Sequence, residues 1–378
     1  MRSRSRSAGV NTGGFYGPLP TIPTVLSRGS RGLRIGPPGS WVAKLGAWLD
    51  QAAFRPQTLP DDLVTGMALL PPVFAGVVIF KLPAVQMLAI AVAAGTAGLI
   101  ASRWLWRNQL LRYGASPLLA SVFGVALVGA GASLLISIEV AVLAVVLELL
   151  RARYLPAIRA QAGLIAFAAI ALITRGGPFA YINPANGAPF GDPIGTWYQF
   201  FSPASSPIDP IRLYVGNVPG PVFATSLLAV AVGIAWLAYA RRVSLVVLFG
   251  FMAGALLAVY TMHWDALFQL DNGPMWFVAG LLLADRRLLP DSWAVRPTLG
   301  FAAGLFAVGL RRPPQGAWLS GHGLEVAFFT VATIQAVMAV VVAVIWSASM
   351  LMARWERTRR LRQREANLRI VKPVSRAS

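Results

Sequence analysis

Cysteine is absent from the 378 residues. Thiolate-held iron–sulfur clusters, thiolate zinc sites and structural disulfides are therefore excluded. Histidine is almost as scarce: His263 and His322 are the only two and lie far apart, so a paired-histidine haem or metal site would need both from separate loops. Charge is thin as well, at 12% of the chain, about half the share of an ordinary soluble domain. Acidic residues are the scarcer sign, 14 against 33 lysines and arginines. What fills the chain instead is apolar sequence, 56% of it, with a positive mean hydropathy. That composition reads as a polytopic membrane protein of the all-α class.

The excess of positive charge gathers at the two ends. Arg2, Arg4, Arg6, Arg28, Arg31, Arg34, Lys44 and Arg55 occupy the N-terminal arm, and Arg354, Arg357, Arg359, Arg360, Arg362, Arg364, Arg369, Lys372 and Arg376 the tail. Basic arms on a membrane protein orient it and touch anionic lipid. No basic module interleaved with aromatics is present, so nucleic acid is not the expected partner. Residues 1–60 read as a cytoplasmic arm, with no apolar core or cleavage site of a signal peptide behind the opening Arg-Ser alternation. Within it Trp41, Leu45, Trp48, Leu49 and Ala52 recur at helical spacing near 41–54. Two readings stand for that stretch, an amphipathic helix in the membrane interface and a helix packed on the bundle.

A span needs roughly 17 to 25 mostly apolar residues, fewer where a helix is broken inside the protein. Runs near 63–81, 84–102, 116–136, 138–150, 161–174, 220–240, 243–261, 274–284, 297–310 and 325–352 predict about ten transmembrane helices. The fourth, fifth and eighth are short, a mark of folds whose broken helices face a central site. With both termini cytoplasmic, the inner loops 103–115, 151–160, 241–242 and 285–296 hold eleven of the arginines, among them Arg151, Arg159, Arg242 and Arg287. The outer segments hold only Lys81, Arg175, Arg212, Arg311 and Arg312. This alternation satisfies the positive-inside rule along the whole chain.

The two halves resemble each other. SPLLASVFGVAL from Ser116 is similar to GPMWFVAGLLLA from Gly273, and AGLIAFAAIAL from Ala162 to LEVAFFTVATI from Leu324. Five spans per half is an odd number, so the repeats would lie in opposite orientations. The expected organisation is a first membrane repeat over 61–174, an outer linker over 175–219, a second repeat over 220–352 and a basic cytoplasmic tail over 353–378.

The stretch from Arg175 to Ser226 is the longest irregular segment inside the apolar region, crowded with Pro, Gly, Asn and aromatics. A long loop of that kind is usually functional. Ser205, Ser206 and Arg212 are suited to a phosphate, as are the backbone amides from Gly216 to Gly220 at the approach to the sixth span. Phe190, Trp197, Tyr198, Phe200 and Phe201 are suited to the faces of a planar ring. The competing reading is an ordered outer cap, its Pro and Gly making turns and its aromatics an interfacial belt.

The segments AYINPANGAP, SSPIDPIRLYVGNVPGPVFATSLLA, GPMWFVAGLLLADR and HGLEVAFF, in this order, resemble the RnfD/NqrB-like family, the membrane component shared by the Rnf electron-transport complex and the sodium-translocating NADH:quinone reductase. The resemblance covers roughly residues 60 to 345. It implies a bacterial-type inner-membrane subunit of a larger complex, relaying single electrons through FMN at its outer face, with quinone a possible further partner. In that family a loop threonine is esterified to the flavin phosphate; Ser206 falls on this acceptor, within Pro203 to Pro207. A second family motif falls on Gly216, Asn217, Val218, Pro219, Gly220, Pro221, Val222, Phe223, Ala224, Thr225 and Ser226, with Ala224 in the place of a glutamate. Asn183 and Asn186 match the family's Asn-Pro-x-Asn segment. The implied cofactor-binding residues are thus Asn183, Asn186, Ser205, Ser206, Arg212, Gly216, Asn217, Gly220 and Thr225.

Two other function classes fit the same spans: a flavin-free scaffold or accessory subunit, which the changes at Ser206 and Ala224 favour, and a secondary transporter. Ionisable groups near spans are costly and hence of interest. Glu148 beside Arg151 and Arg153 reads as an interfacial ion pair, and Asp285 beside Arg286 and Arg287 as an inner charge cluster. Glu325 reads as a first-turn carboxylate favoured by the helix dipole. His263 and His322 are expected in outer loops.

Overall fold

Apolar runs this long cannot leave backbone groups unpaired in hydrocarbon, and the chain answers with helices. A computed structural model describes residues 59–106, 115–194, 210–290, 292, 294–311 and 323–371. The expected helix near 41–54, Ser205, Ser206, most of the loop aromatics and His322 lie outside these residues. The helices are α1 (Asp61–Phe80), α2 (Leu82–Trp106), α3 (Pro117–Ala126), α4 (Leu134–Tyr154), α5 (Ala162–Ile173), α6 (Pro210–Val215), α7 (Leu227–Tyr239), α8 (Leu245–Met262), α9 (Ala266–Leu270), α10 (Gly273–Leu283, π-helical from Phe277), α11 (Val295–Gly309) and α12 (Leu324–Val371). A short hairpin, β1 (Tyr181–Ile182) and β2 (Pro189–Phe190), is paired antiparallel.

Among the described residues four helices are long and apolar enough to cross a membrane, in α1, α2, α8 and α12. Helices α3, α5, α7, α10 and α11 are apolar but shorter. Helix α4 has the length, at 21 residues, yet carries Glu139, Glu148, Arg151 and Arg153.

Three boundaries differ from the sequence reading. The apolar run 116–136 is not one helix: α3 stops at Ala126, and α4 begins at Leu134 after Ser133, whose side chain accepts from the Ile136 N–H. Residues 127–133 between them form turns with a single antiparallel bridge from Gly129 to Pro221, and two other segments hydrogen-bond to this break. Helix α7 begins at Leu227 rather than near 220, since the backbone of Val222 and Phe223 is spent on that same break. Helix α12 does not end near 352 but runs through the basic tail to Val371.

Helices α8 and α11 form the tightest pair. Each carries small residues four apart, Gly250 and Gly254 on one and Gly300 and Gly304 on the other. A Cβ at Gly254 would collide with the Phe301 carbonyl, and one at Gly304 with the Phe251 carbonyl. Such pairs let two backbones approach closely enough for van der Waals packing to hold them in an apolar medium. At the centre, fully buried Phe123 of α3 meets Phe277 of α10 edge-on at 6.1 Å. Phe167 of α5 meets Phe328 of α12 in the same way at 5.6 Å. Gln335 on α12 is buried among these helices, accepting from the Gln161 N–H (2.9 Å) and donating to the Leu282 carbonyl (3.0 Å).

Candidate functional site

The stretch singled out in the sequence folds onto the break between α3 and α4. On one side of the break the N–H groups of Gly129 and Gly131 donate to the carbonyls of Pro178 and Ala180, at 2.8 and 2.9 Å. On the other side the N–H groups of Val222 and Phe223 donate to Val128 and Ala126, at 2.9 and 3.2 Å. The hairpin segment and the 216–226 segment therefore flank the turns of this break, the second segment being bridged to it between Gly129 and Pro221. Beside it an open pocket of about 330 Å³ is lined by Gly131, Phe179, Ala180, Tyr181, Ile182, Pro189, Phe190 and Gly191.

Asn183 and Asn186 build the hairpin turn. Their side-chain oxygens accept from the N–H groups of Ala185 and Ala188, both at 3.0 Å. Arg212 is exposed on α6, one turn before Gly216, whose φ of 91° ends that helix. The Gly216 N–H is spent on the Arg212 carbonyl at 2.9 Å. The N–H groups of Asn217, Val218 and Gly220 make no hydrogen bond among the described residues. Thr225 is buried at the foot of this segment, and Ser226 caps α7 by accepting from Ala229 at 3.2 Å. Ala224 is fully buried, its carbonyl packed on Gly273.

One group of residues went unread in the sequence apart from Glu325. Asp192, just past the hairpin, is 5% exposed. Its Oδ1 accepts from the Ile194 N–H at 2.9 Å, and its Oδ2 from the N–H groups of Gly323 and Leu324, the latter also at 2.9 Å. That anchors the hairpin arm to the start of α12, where Glu325 is 0% exposed. Tyr181 is buried beside both carboxyls. Burial and then the charge of Glu325 push the Asp192 carboxyl up to about 8, against the opposing pull of the Leu324 and Gly323 N–H groups. Burial, followed by the charges of Glu325 and Asp192, likewise raises the Tyr181 hydroxyl well above its usual range. A group of this kind retains a proton at neutral pH where isolated carboxylates would not. The only sequence signal was an aspartate in a Gly-Asp-Pro turn, which by itself is common.

The opposite end of the bundle holds the arginines of the expected inner loops. Glu148 is buried and pairs with Arg151 at 2.7 Å, while also accepting from the Ser116 N–H at 3.0 Å. Asp285 accepts a fork from Arg287, at 2.6 to 3.1 Å, and Asp62 lies 3.7 Å from the same guanidinium. Asp61 pairs with Arg242. The ion pairs expected at Glu148 and Asp285 are both present. His263 is exposed at the C-cap of α8.

No protein-family model matches the chain, and no curated protein matches it.

Proposed function

We propose that the chain is a membrane subunit of an Rnf/Nqr-like redox complex that holds FMN on the Arg175–Ser226 stretch and relays single electrons between partners. The observation that carries this reading is the set of unpartnered donors at Asn217, Val218 and Gly220, one turn beyond exposed Arg212. Backbone N–H groups and a guanidinium together suit a phosphate, and they occur on the segment that carries the family resemblance. The residues fit the group in a second respect: Phe179 and Phe190 stand in the wall of the neighbouring pocket and offer apolar faces to a flat ring.

When bound, FMN supplies the one-electron chemistry. The chain's own residues position it: Arg212 neutralises phosphate charge, and the turn at Gly216 aims the N–H groups that follow. Ser206 is the hydroxyl suited to an ester link. Asp192, raised by burial and by Glu325, holds a proton and so keeps negative charge low in the hairpin arm.

In the same reading ten helical segments form two inverted repeats, with both termini on the cytoplasmic side of a bacterial-type inner membrane. Contact at the centre between α3 and α10 and between α5 and α12 supports it, since these are the segments paired by sequence similarity. The gathering of ion-paired arginines at one end supports the orientation.

Ala224 favours a second reading. It is fully buried where the resembled family carries glutamate, which fits a flavin-free scaffold that kept the fold. Purified protein distinguishes the two. The redox reading expects FMN released on denaturation, or in-gel flavin fluorescence lost in Ser206→Ala, with Arg212→Ala weakening retention. Protein free of flavin after expression with a flavin transferase would leave the scaffold.

A further inference from the structure

Two neighbouring parts of the chain offer donors to a phosphate: Arg212 on α6, and the N–H groups of Asn217, Val218 and Gly220 that follow it. Neither part is held by a long element. Helix α6 has six residues, and the segment after it is a run of bends and turns. A grip made of backbone N–H groups serves an anion only while the backbone keeps its shape.

A small buried cluster keeps that shape. Leu213, next to Arg212, and Val218, within the N–H segment, are both buried and cluster with Ile194, Phe268 and Leu324. Leu324 also reaches the far end of the segment, since a Cβ placed on Gly220 would stand 3.8 Å from its Cδ1. The Leu324 side chain thus supports the run from Val218 to Gly220 at both ends.

Leu324 is the first residue of α12, and its N–H donates to Asp192 Oδ2 at 2.9 Å. The Gly323 N–H donates to the same oxygen. Asp192 Oδ1 accepts from the N–H of Ile194, a second member of the cluster, at 2.9 Å. One carboxyl therefore fixes the backbone of two of the five residues on which the grip rests. The fit is close: a Cβ at Gly323 would collide with the Ile194 side chain.

We propose that Asp192 is a positioning residue for the phosphate grip. Acting through Ile194 and Leu324, it holds α6 and the Asn217–Gly220 segment in the shape that presents Arg212 and the three N–H groups to a phosphate. The inference rests on the flavin reading above and deepens it.

The test uses the full chain, purified in detergent after expression without a flavin transferase. It is titrated with FMN and separately with riboflavin, which carries the same ring and no phosphate. The wild-type chain is expected to prefer FMN. Binding of neither flavin, or equal binding of both, would remove the grip and this inference with it. Asp192→Ala is expected to cut the preference roughly tenfold, the order of effect of lost buried hydrogen bonds. Asp192→Asn keeps one side-chain acceptor oxygen and is expected to recover part of it. Should the alanine variant fail to fold, the asparagine variant reads the same drop at smaller size. Gln335→Leu, destabilised elsewhere in the bundle, is expected to keep the wild-type preference. Given a wild-type preference for FMN, three results would each overturn the role of Asp192 alone: an unchanged preference in its variants, equal weakening of both flavins, or the same drop in Gln335→Leu.

Discussion

Asp192 caps the longest of the described helices by accepting the Leu324 N–H at 2.9 Å, across 132 positions of sequence. A helix start leaves its first N–H groups without intrahelical partners, and here a distant carboxyl meets two of them. Because the same carboxyl is buried against Glu325, the capping residue Asp192 also binds a proton.

The cap makes stability depend on pH in one direction. Asp192 is pushed from 3.8 up to about 8 by burial and by Glu325, so the folded state binds a proton that the unfolded state releases. The stabilisation is complete below the unfolded value near 4 and is lost as pH rises through 8. Thermal midpoints in detergent are expected to fall between pH 5 and pH 9, and Asp192→Asn is expected to flatten that slope. A midpoint rising with pH would contradict the assignment.

The glycine contacts of α8 and α11 tolerate no side chain. Gly254→Val or Gly304→Val forces a methyl against a facing carbonyl, and overpacking of that kind costs about 1–3 kcal/mol. The expected outcome is a lower midpoint and a broadened gel-filtration peak, largest for Gly304→Val. Gly66→Val in α1, where no atom lies within contact range of an added Cβ, is expected to leave both unchanged.

Gln335 satisfies two backbone groups at once. Gln335→Leu leaves the Gln161 N–H and the Leu282 carbonyl without this partner, at roughly 1–3 kcal/mol for each buried group. Amide exchange at Gln161 is expected to accelerate in the variant, and Gln335→Glu is expected to do no better at Leu282, since a carboxylate cannot donate there.

Arg287 and Asp285 should be non-additive. Removing Arg287 strands a buried carboxylate, a loss of about 3–5 kcal/mol where a buried pair is broken from one side. Arg287→Gln is therefore expected to be the more harmful single change, and adding Asp285→Asn to restore part of the loss in chemical unfolding. Equal, additive losses would show that Asp285 is held by something other than its fork with Arg287.

Much of the helical framework was legible because apolar runs of span length have few other fates. The Glu148 and Asp285 pairs were legible too, since each acid sits within three residues of its arginine. The break after Ala126 was hidden inside an unbroken apolar run: Gly129 and Gly131 carry its signal, but only the segments that hydrogen-bond to it hold it open as a run of turns. Asp192 was missed for a similar reason. The N–H groups it caps on α12 are more than 130 residues away, and its one local bond, from the Ile194 N–H, is that of any turn aspartate. The glycine spacing of α8 and α11, by contrast, was present twice in the sequence as GFMAG and GFAAG and could have been read directly.

The 48 residues of α12 give it a length of about 72 Å, more than twice the hydrocarbon thickness of a bilayer. One continuous rod thus begins at the Asp192 cap, passes Gln335 and finishes among the arginines of the tail. A lever of that length turns small tilts into large excursions: about 10° at the cap swings the far tip by roughly 12 Å. A partner that grips the tail would thus hold the same helix whose first turn Asp192 caps.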